Sequence, residues 1–135
     1  MQEGDTIDVA SPYGDFTFDE SGVSSNAPVV FLSAGVGQTA LLSILNHILH
    51  SRKTLPRSDW SRPLTYVHVA RDERVHAFDA YMREIAGNHQ NLLYRVFYTA
   101  PKSAILGKDY DFDGRLDLAK VKDALHLSEP AAEYL

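Results

Sequence analysis

The residues best suited to chemistry in this sequence form a glycine-rich turn at positions 33–40, which reads Ser-Ala-Gly-Val-Gly-Gln-Thr-Ala. The turn lies where an apolar run passes into a helical pattern, so its main-chain N–H groups and the helix N-terminus suit a phosphate. The Gly-x-Gly-x-x-Ala spacing satisfies the loose dinucleotide-binding pattern. The candidate binding residues are Gly35, Val36, Gly37, Gln38, Thr39 and Ala40. The alternative is a tight turn whose glycines only relieve steric crowding.

Another candidate binding residue follows the next apolar run. Dinucleotide sites usually carry an acid at the end of the second strand, where it binds the ribose 2′-hydroxyl. Here the run ends at Ala70 and Arg71 follows it, with Asp72 and Glu73 just beyond. Arg71 is either a partner for a 2′-phosphate or a solvated side chain, and we favour the second interpretation.

The elements that would position these residues follow from hydrophobic periodicity. Continuous apolar runs rich in β-branched and aromatic residues predict strands buried on both faces of a parallel sheet. These runs are Val29–Ala34, Leu64–Ala70 and Leu92–Tyr98. Because each run is followed by a helical pattern, the chain is predicted to be an α/β fold with parallel strands and right-handed crossovers.

Apolar residues at helical spacing predict the helices. The first stripe covers 41–49, with Thr39 as its N-cap, and the second covers Phe78, Tyr81, Met82 and Ile85 and ends at Gly87 and Asn88. A third helix is predicted over 118–125, with Asp117 as its N-cap.

The remaining segments are loops or short strands. Residues 6–9 and 15–18 are strand candidates around a turn at 11–14, and 21–28 has the composition of a linker. Residues 101–114 are predicted to be a long loop, and 132–135 to begin another strand.

Composition excludes several classes of function. The net charge of -5 and the pI of about 5.6 argue against binding to nucleic acid, which needs a basic face. The absence of cysteine excludes disulfides and thiolate metal sites. The longest apolar run is far shorter than the roughly 20 residues that span a bilayer. The first residues do not resemble a targeting segment, so the expected location is the cytoplasm.

Two metal-site patterns are weak. Residues 109–114 copy the start of a calcium-binding loop, but Lys120 stands where a bidentate glutamate is needed. His47 and His50 fall opposite the apolar stripe without a third ligand, which favours a solvated face. His68 is expected to be a hydrogen-bonded core residue. His76 either stabilises the start of the second helix or contacts nucleotide, and we favour the first interpretation. No nucleophile motif supports acyl transfer, and no catalytic residue is assigned.

The residues resemble those of a known family. Residues 31–42, Phe-Leu-Ser-Ala-Gly-Val-Gly-Gln-Thr-Ala-Leu-Leu, are similar to the NAD(P)-binding segment of flavohemoglobin reductases in the ferredoxin–NADP reductase superfamily. Residues 4–9 and 11–16 resemble the last strands of the flavin barrel. Residues 67–78, with Val-His-Ala-Phe, and 110–118 resemble later segments of the nucleotide domain. The likeness runs over nearly the whole chain in order.

The resemblance implies a fold and an activity. The fold would be a three-layer parallel sheet of the ferredoxin-reductase NAD-binding type over 27–135, incomplete at its C-terminus, with 1–26 as a remnant of the FAD-binding β-barrel. Residues 35–40 would hold the phosphates of NAD(P)H, which reduces FAD. In the parent, electrons then pass to haem in a separate globin domain, where nitric oxide becomes nitrate. The family usually has proline where this chain has Ala40, a change expected to soften the loop.

These 135 residues lack the globin domain, the flavin motif and the nicotinamide-side segment that the resemblance implies. The chain is interpreted as a separate domain, a shortened gene product or a remnant, and alone it is expected to be inactive. The implied sheet order 3-2-1-4-5 would leave the first strand with an unpaired edge, which predicts self-association or poor solubility. Two alternatives stay open: a non-catalytic interaction module, and a reductase module for a non-globin electron acceptor.

Overall fold

A computed structural model describes residues 2–11, 13–18, 27–54, 62–117, 119 and 122 of the chain. Its elements are β1 (Val29–Ala34), a 3-10 turn (Gly35–Gly37), α1 (Gln38–Thr54), β2 (Leu64–Ala70), α2 (Asp79–Asn88), β3 (Leu92–Tyr98) and β4 (Phe112–Asp113). The predicted α/β class is confirmed, and β1, β2 and β3 have the bounds that the apolar runs predict.

The strands form one parallel sheet in the order β1-β2-β3-β4. This order agrees with the 3-2-1 part of the implied arrangement. Within the described residues β1 pairs only with β2, so its outer edge has no strand partner there. The short strand β4 lies inside the segment predicted to be a loop, since two residues carry too little pattern to be recognised.

The helices α1 and α2 cover one face of the sheet. This main core includes Leu45 and Ile48 of α1, Met82 of α2, and Tyr66 and Val96 of the strands, all of them buried. The other face carries a smaller cluster around Val30, Val67 and Phe97. No helix in the described part of the chain is long and apolar enough to cross a membrane.

Several sequence predictions are wrong in detail. Residues 6–9 and 15–18 form no strand, because this segment is almost wholly exposed and has no ladder partner in the described ranges. The strand β1 is not buried on both faces, since Leu32 is 42% exposed on the side of Val30. Phe78 does not belong to the α2 stripe but precedes the helix in a left-handed conformation, with φ of 60° and an exposed side chain.

Other predictions fall partly outside the described residues. Most of the linker at 21–28, most of the third helix at 118–125 and the strand at 132–135 lie there. The main-chain N–H of Ala119 donates to Asp117 Oδ1 at 3.1 Å, which is the bond expected of the predicted N-cap.

Candidate nucleotide site at the carboxyl edge of the sheet

The glycine corner between β1 and α1 is open. Gly35 adopts φ of 51°, a left-handed conformation that favours glycine, and a Cβ atom placed on Gly35 or Gly37 would meet nothing within 4 Å. Val36 between them is 85% exposed. The corner leads into the 17-residue helix α1, and the first turn of a helix is where main-chain N–H groups lack intrahelical partners. A phosphate group could therefore approach the main chain here without displacing protein atoms.

The first turn of α1 differs from its predicted form. The helix begins at Gln38, so Thr39 lies inside the first turn and is not the N-cap; its hydroxyl donates to the Val36 carbonyl oxygen at 2.9 Å. The helix therefore begins two residues earlier than an N-cap at Thr39 predicts, directly after the 3-10 turn. Thr39 and Ala40 are exposed at this end of the helix.

Gln38, in contrast, is buried. Its main-chain N–H donates to Gly35 and Val36 carbonyl oxygens, and its own carbonyl oxygen accepts a bond from the Tyr66 hydroxyl at 3.2 Å. Its side chain is only 1% exposed, and its amide oxygen and nitrogen have no hydrogen-bond partner in the described part of the chain.

Arg71 lies at the same edge of the sheet. Because Ala34 is in register with Val69, the glycine corner and the residues after β2 follow neighbouring parallel strands. The Arg71 side chain is exposed. The main-chain carbonyl oxygen of Arg71 accepts a hydrogen bond from the Ala100 N–H at 2.8 Å. The structure thus places Arg71 at the same edge as the corner. Whether its side chain contacts a 2′-phosphate or only solvent stays a prediction.

The two acids after Arg71 are held by protein groups. Asp72 is buried and accepts bonds from Arg74 Nε and Nη2 at 3.1 and 3.0 Å, and the hydrogen-bonded guanidinium lowers the pKa of Asp72. Glu73 accepts from the Ser103 N–H and hydroxyl, each at 2.7 Å, and from the Lys102 N–H at 3.2 Å. These bonds lower the pKa of Glu73 to about 2, so its charge ties the loop after β2 to the loop after β3.

A buried histidine pair beneath this edge is the feature that the sequence did not reveal. His68 Nδ1 lies 2.8 Å from the Ser33 hydroxyl, and the His68 ring stacks on His76 with centroids 4.7 Å apart. The two ring nitrogens of His76 pair with the hydroxyls of Tyr98 and Tyr94 at 2.9 and 2.8 Å. Both histidines fulfil their predicted structural roles. The contact between Ser33 and His68 could have been anticipated only from the register of β1 and β2, which places the two residues side by side.

Burial keeps both rings neutral. It is the main cause that lowers the pKa of His68 to about 4, and the neighbouring His76 adds to the effect while Asp79 opposes it. Burial also lowers the pKa of His76, although Asp79 Oδ1 lies 3.7 Å from its Nδ1. Asp79 itself pairs with Arg83 Nε at 2.9 Å.

The acidic segment at 109–114 is engaged in structural bonds. Asp109 and Asp111 accept main-chain N–H groups at 2.8 Å, and Asp113 accepts the Tyr110 hydroxyl at 2.8 Å. No cluster of metal-ligating side chains occurs among the residues that the structure describes. His47 and His50 are exposed on α1.

Comparisons with known proteins agree with the resemblance inferred from the motifs, although no family model matches the chain. A flavohemoprotein from Bordetella pertussis is 38% identical over 135 residues, which is 99% of this chain and 31% of the relative. A flavohemoprotein from Rhizobium meliloti is 37% identical over 132 residues, 97% of this chain and 30% of the relative. The chain thus spans about a third of the length of these relatives.

Solved structures share the fold. A flavohemoglobin from Malassezia yamatoensis with bound FAD and heme has a TM-score of 0.68 at 22% identity, covering 93% of this chain and 28% of that one. The FAD/NAD-binding domain of a nitric oxide dioxygenase from Vibrio cholerae has a TM-score of 0.58 at 23% identity, covering 93% and 55%. The chain is therefore similar to one part of the flavohemoproteins, and it shares the fold of the solved flavohemoglobin and of the FAD/NAD-binding domain.

Proposed function

We propose that the chain is the NAD(P)H-binding module of a flavin-dependent oxidoreductase whose parent activity is nitric oxide dioxygenation. The observation that carries this proposal is the exposed glycine turn at the carboxyl end of β1, where Gly35 takes a left-handed φ of 51° and the chain passes directly into α1. The flavohemoprotein relatives, 38% identical over the chain, support the same assignment.

In this proposal the residues of the chain bind and orient the coenzyme. The main-chain N–H groups at 35–40, apart from that of Gln38, which donates to Gly35 and Val36, would hold the diphosphate at the positive end of α1. Arg71, exposed after β2, would lie on the side of the adenosine ribose, where dinucleotide sites place the group that contacts the 2′ position. When bound, the reduced nicotinamide supplies a hydride for the flavin.

FAD and haem would be held by other parts of the parent protein. The relatives are about three times as long as this chain, and the flavohemoglobin structure contains both groups. The partners proposed for the module are accordingly a flavin domain and a globin domain. The isolated chain is proposed to bind nucleotide without turning over.

Calorimetric titration with NADH tests the nucleotide site. The unchanged chain is expected to bind, and Gly37→Val is expected to abolish binding, because its side chain enters the open space above the corner. The matched control is Gly87→Val, at an exposed glycine of α2 where an added Cβ also meets nothing within 4 Å. Binding that is unmeasurable in all three proteins, or equal in all three, refutes the proposal.

A second candidate function is a non-catalytic interaction module. It is favoured by the outer edge of β1, which has no strand partner in the described ranges, and by the half-exposed Leu32 on that strand. Exposed edges of apolar strands invite pairing with another chain. Light scattering distinguishes the outcomes, since a monodisperse monomer that binds NADH contradicts this second candidate.

A further inference from the structure

The two acids that follow β2 already use both of their carboxylate oxygens in hydrogen bonds to the protein. Asp72 is buried, and its Oδ1 and Oδ2 accept bonds from Arg74 Nε and Nη2 at 3.1 and 3.0 Å. Glu73 Oε1 accepts the N–H and the hydroxyl of Ser103, each at 2.7 Å, and its Oε2 accepts the Lys102 N–H at 3.2 Å. An acid in this part of a dinucleotide site usually accepts the ribose 2′-hydroxyl. Each acid would have to share or give up protein bonds to do so here.

Two cationic side chains of the same region, in contrast, are uncommitted. Arg71 is exposed, and its guanidinium forms no hydrogen bond or ion pair with any residue that the structure describes. Lys102 is exposed too, and among those residues only its main chain is bound, to Glu73. The segments that carry the two cations are joined, because the Arg71 carbonyl oxygen accepts the Ala100 N–H at 2.8 Å. Arg71 and Lys102 therefore stand on adjacent segments of the carboxyl edge.

The order of the strands places these cations on the path of a bound dinucleotide. The glycine corner follows β1, Arg71 follows β2 and Lys102 follows β3, in a sheet whose order is β1-β2-β3-β4. A dinucleotide with its diphosphate at the corner reaches the end of the second strand with its adenosine ribose, and an arginine there accommodates a 2′-phosphate. The planar guanidinium suits this ligand, because its N–H donors match two phosphate oxygens.

We propose that the chain selects the nicotinamide nucleotide that carries a 2′-phosphate, NADPH, and that Arg71 and Lys102 bind this phosphate. The inference rests on the proposed function and names the preferred coenzyme of the same site. The charge of Asp72 is balanced by Arg74, and the Glu73 carboxylate is held by the amides at 102 and 103, so both acids repel a phosphate less than free carboxylates would. NADH is expected to bind more weakly, since its ribose finds no uncommitted acid and leaves both cations without an anion.

Calorimetric titration of the full chain with NADPH and with NADH measures the selection. The unchanged chain is expected to bind NADPH about tenfold more tightly, as for the gain of one hydrogen bond between charged groups. Arg71→Gln is expected to lower NADPH affinity by about tenfold and to leave NADH affinity unchanged. Lys102→Gln is expected to cause a smaller loss for NADPH, because lysine binds phosphate as a point charge. Lys122→Gln removes the same charge at an exposed lysine outside these two segments and is the matched control.

The outcomes separate this inference from the proposed function. If the unchanged chain binds neither nucleotide, both fall. If it binds NADH as tightly as NADPH or more tightly, the inference alone is overturned and the nucleotide site stands. If Arg71→Gln keeps the preference for NADPH, or loses affinity for both nucleotides equally as a folding defect would, the assignment of the 2′-phosphate to this residue is overturned. A loss confined to NADPH in Arg71→Gln, with Lys122→Gln unchanged, supports it.

Discussion

The buried histidine pair makes the stability of the fold sensitive to mild acid. His68 is 1% exposed, and its pKa is lowered from 6.5 to about 4, chiefly by burial. The unfolded chain takes up a proton near the ordinary value, whereas the folded chain resists it. The contribution of neutral His68 to the free energy of unfolding is therefore fully present above about pH 6.5 and is lost as the pH falls towards 4.

The magnitude follows from the two pKa values. One pKa unit corresponds to about 1.4 kcal/mol, so the full difference amounts to roughly 3 kcal/mol, of which about 2 kcal/mol is lost by pH 5. His76 contributes in the same direction, because burial lowers its pKa also. Glu73 adds almost nothing above pH 5, because its pKa is 4.5 in the unfolded chain and about 2 in the folded one, so the loss that it causes falls between those values.

Urea unfolding followed by circular dichroism at several pH values between about 8 and 5 measures this loss. His68→Gln removes the titrating group, so its free energy of unfolding is expected to change less over that range, by about 2 kcal/mol. The control is His47→Gln, an exposed histidine of α1, which is expected to follow the unchanged protein. A stability that is level from pH 8 to 5, or an equal slope in His68→Gln, refutes the reasoning.

Three further predictions concern the backbone, the core and the edge of the sheet. Gly35→Ala is expected to lower the free energy of unfolding by about 1 kcal/mol because of its positive φ, while Gly37→Ala is expected to cause no loss; urea unfolding compares them. Met82→Ala, at a fully buried position, is expected to cost about 2–5 kcal/mol in the same assay. Glu73→Gln is expected to speed hydrogen exchange at the Ser103 amide, since it replaces a carboxylate that accepts this N–H.

The sheet could be predicted because burial and periodicity coincide there. The strands β2 and β3 are flanked by other strands and covered by the main core, so their apolar runs extend to their ends. Residues 6–9 and 15–18 have the right composition for strands but no ladder to join in the described ranges, and composition alone does not supply one. The start of α1 could not be predicted to the residue, because the 3-10 turn depends on the left-handed Gly35.

The sequence predicted the main-chain geometry of the candidate site but not the burial of its side chains. The glycine spacing indicates an open corner, and the structure contains one. The burial of Gln38 could not be inferred, because the residue lies within a motif whose neighbours are exposed. The left-handed Phe78 also carries no local signal, since a bulky residue rarely adopts φ of 60°.

The placement of buried polar side chains connects the fold to the site. Those at the carboxyl ends of β1 and β2 and in the segments that follow are Ser33, Gln38, His68, Asp72 and His76. Stability alone would favour aliphatic residues there; at the other end of the same strands Val29 and Leu64 are buried beside two buried polar side chains, Arg62 and Thr65. The stacked rings lose stability in acid and the Gln38 amide lacks partners, so these polar groups are costly for folding. Such a group of polar side chains near one edge is expected if that edge binds a ligand. An apolar replacement that stabilises the chain and weakens nucleotide binding would demonstrate that the polar side chain lowers stability and favours binding.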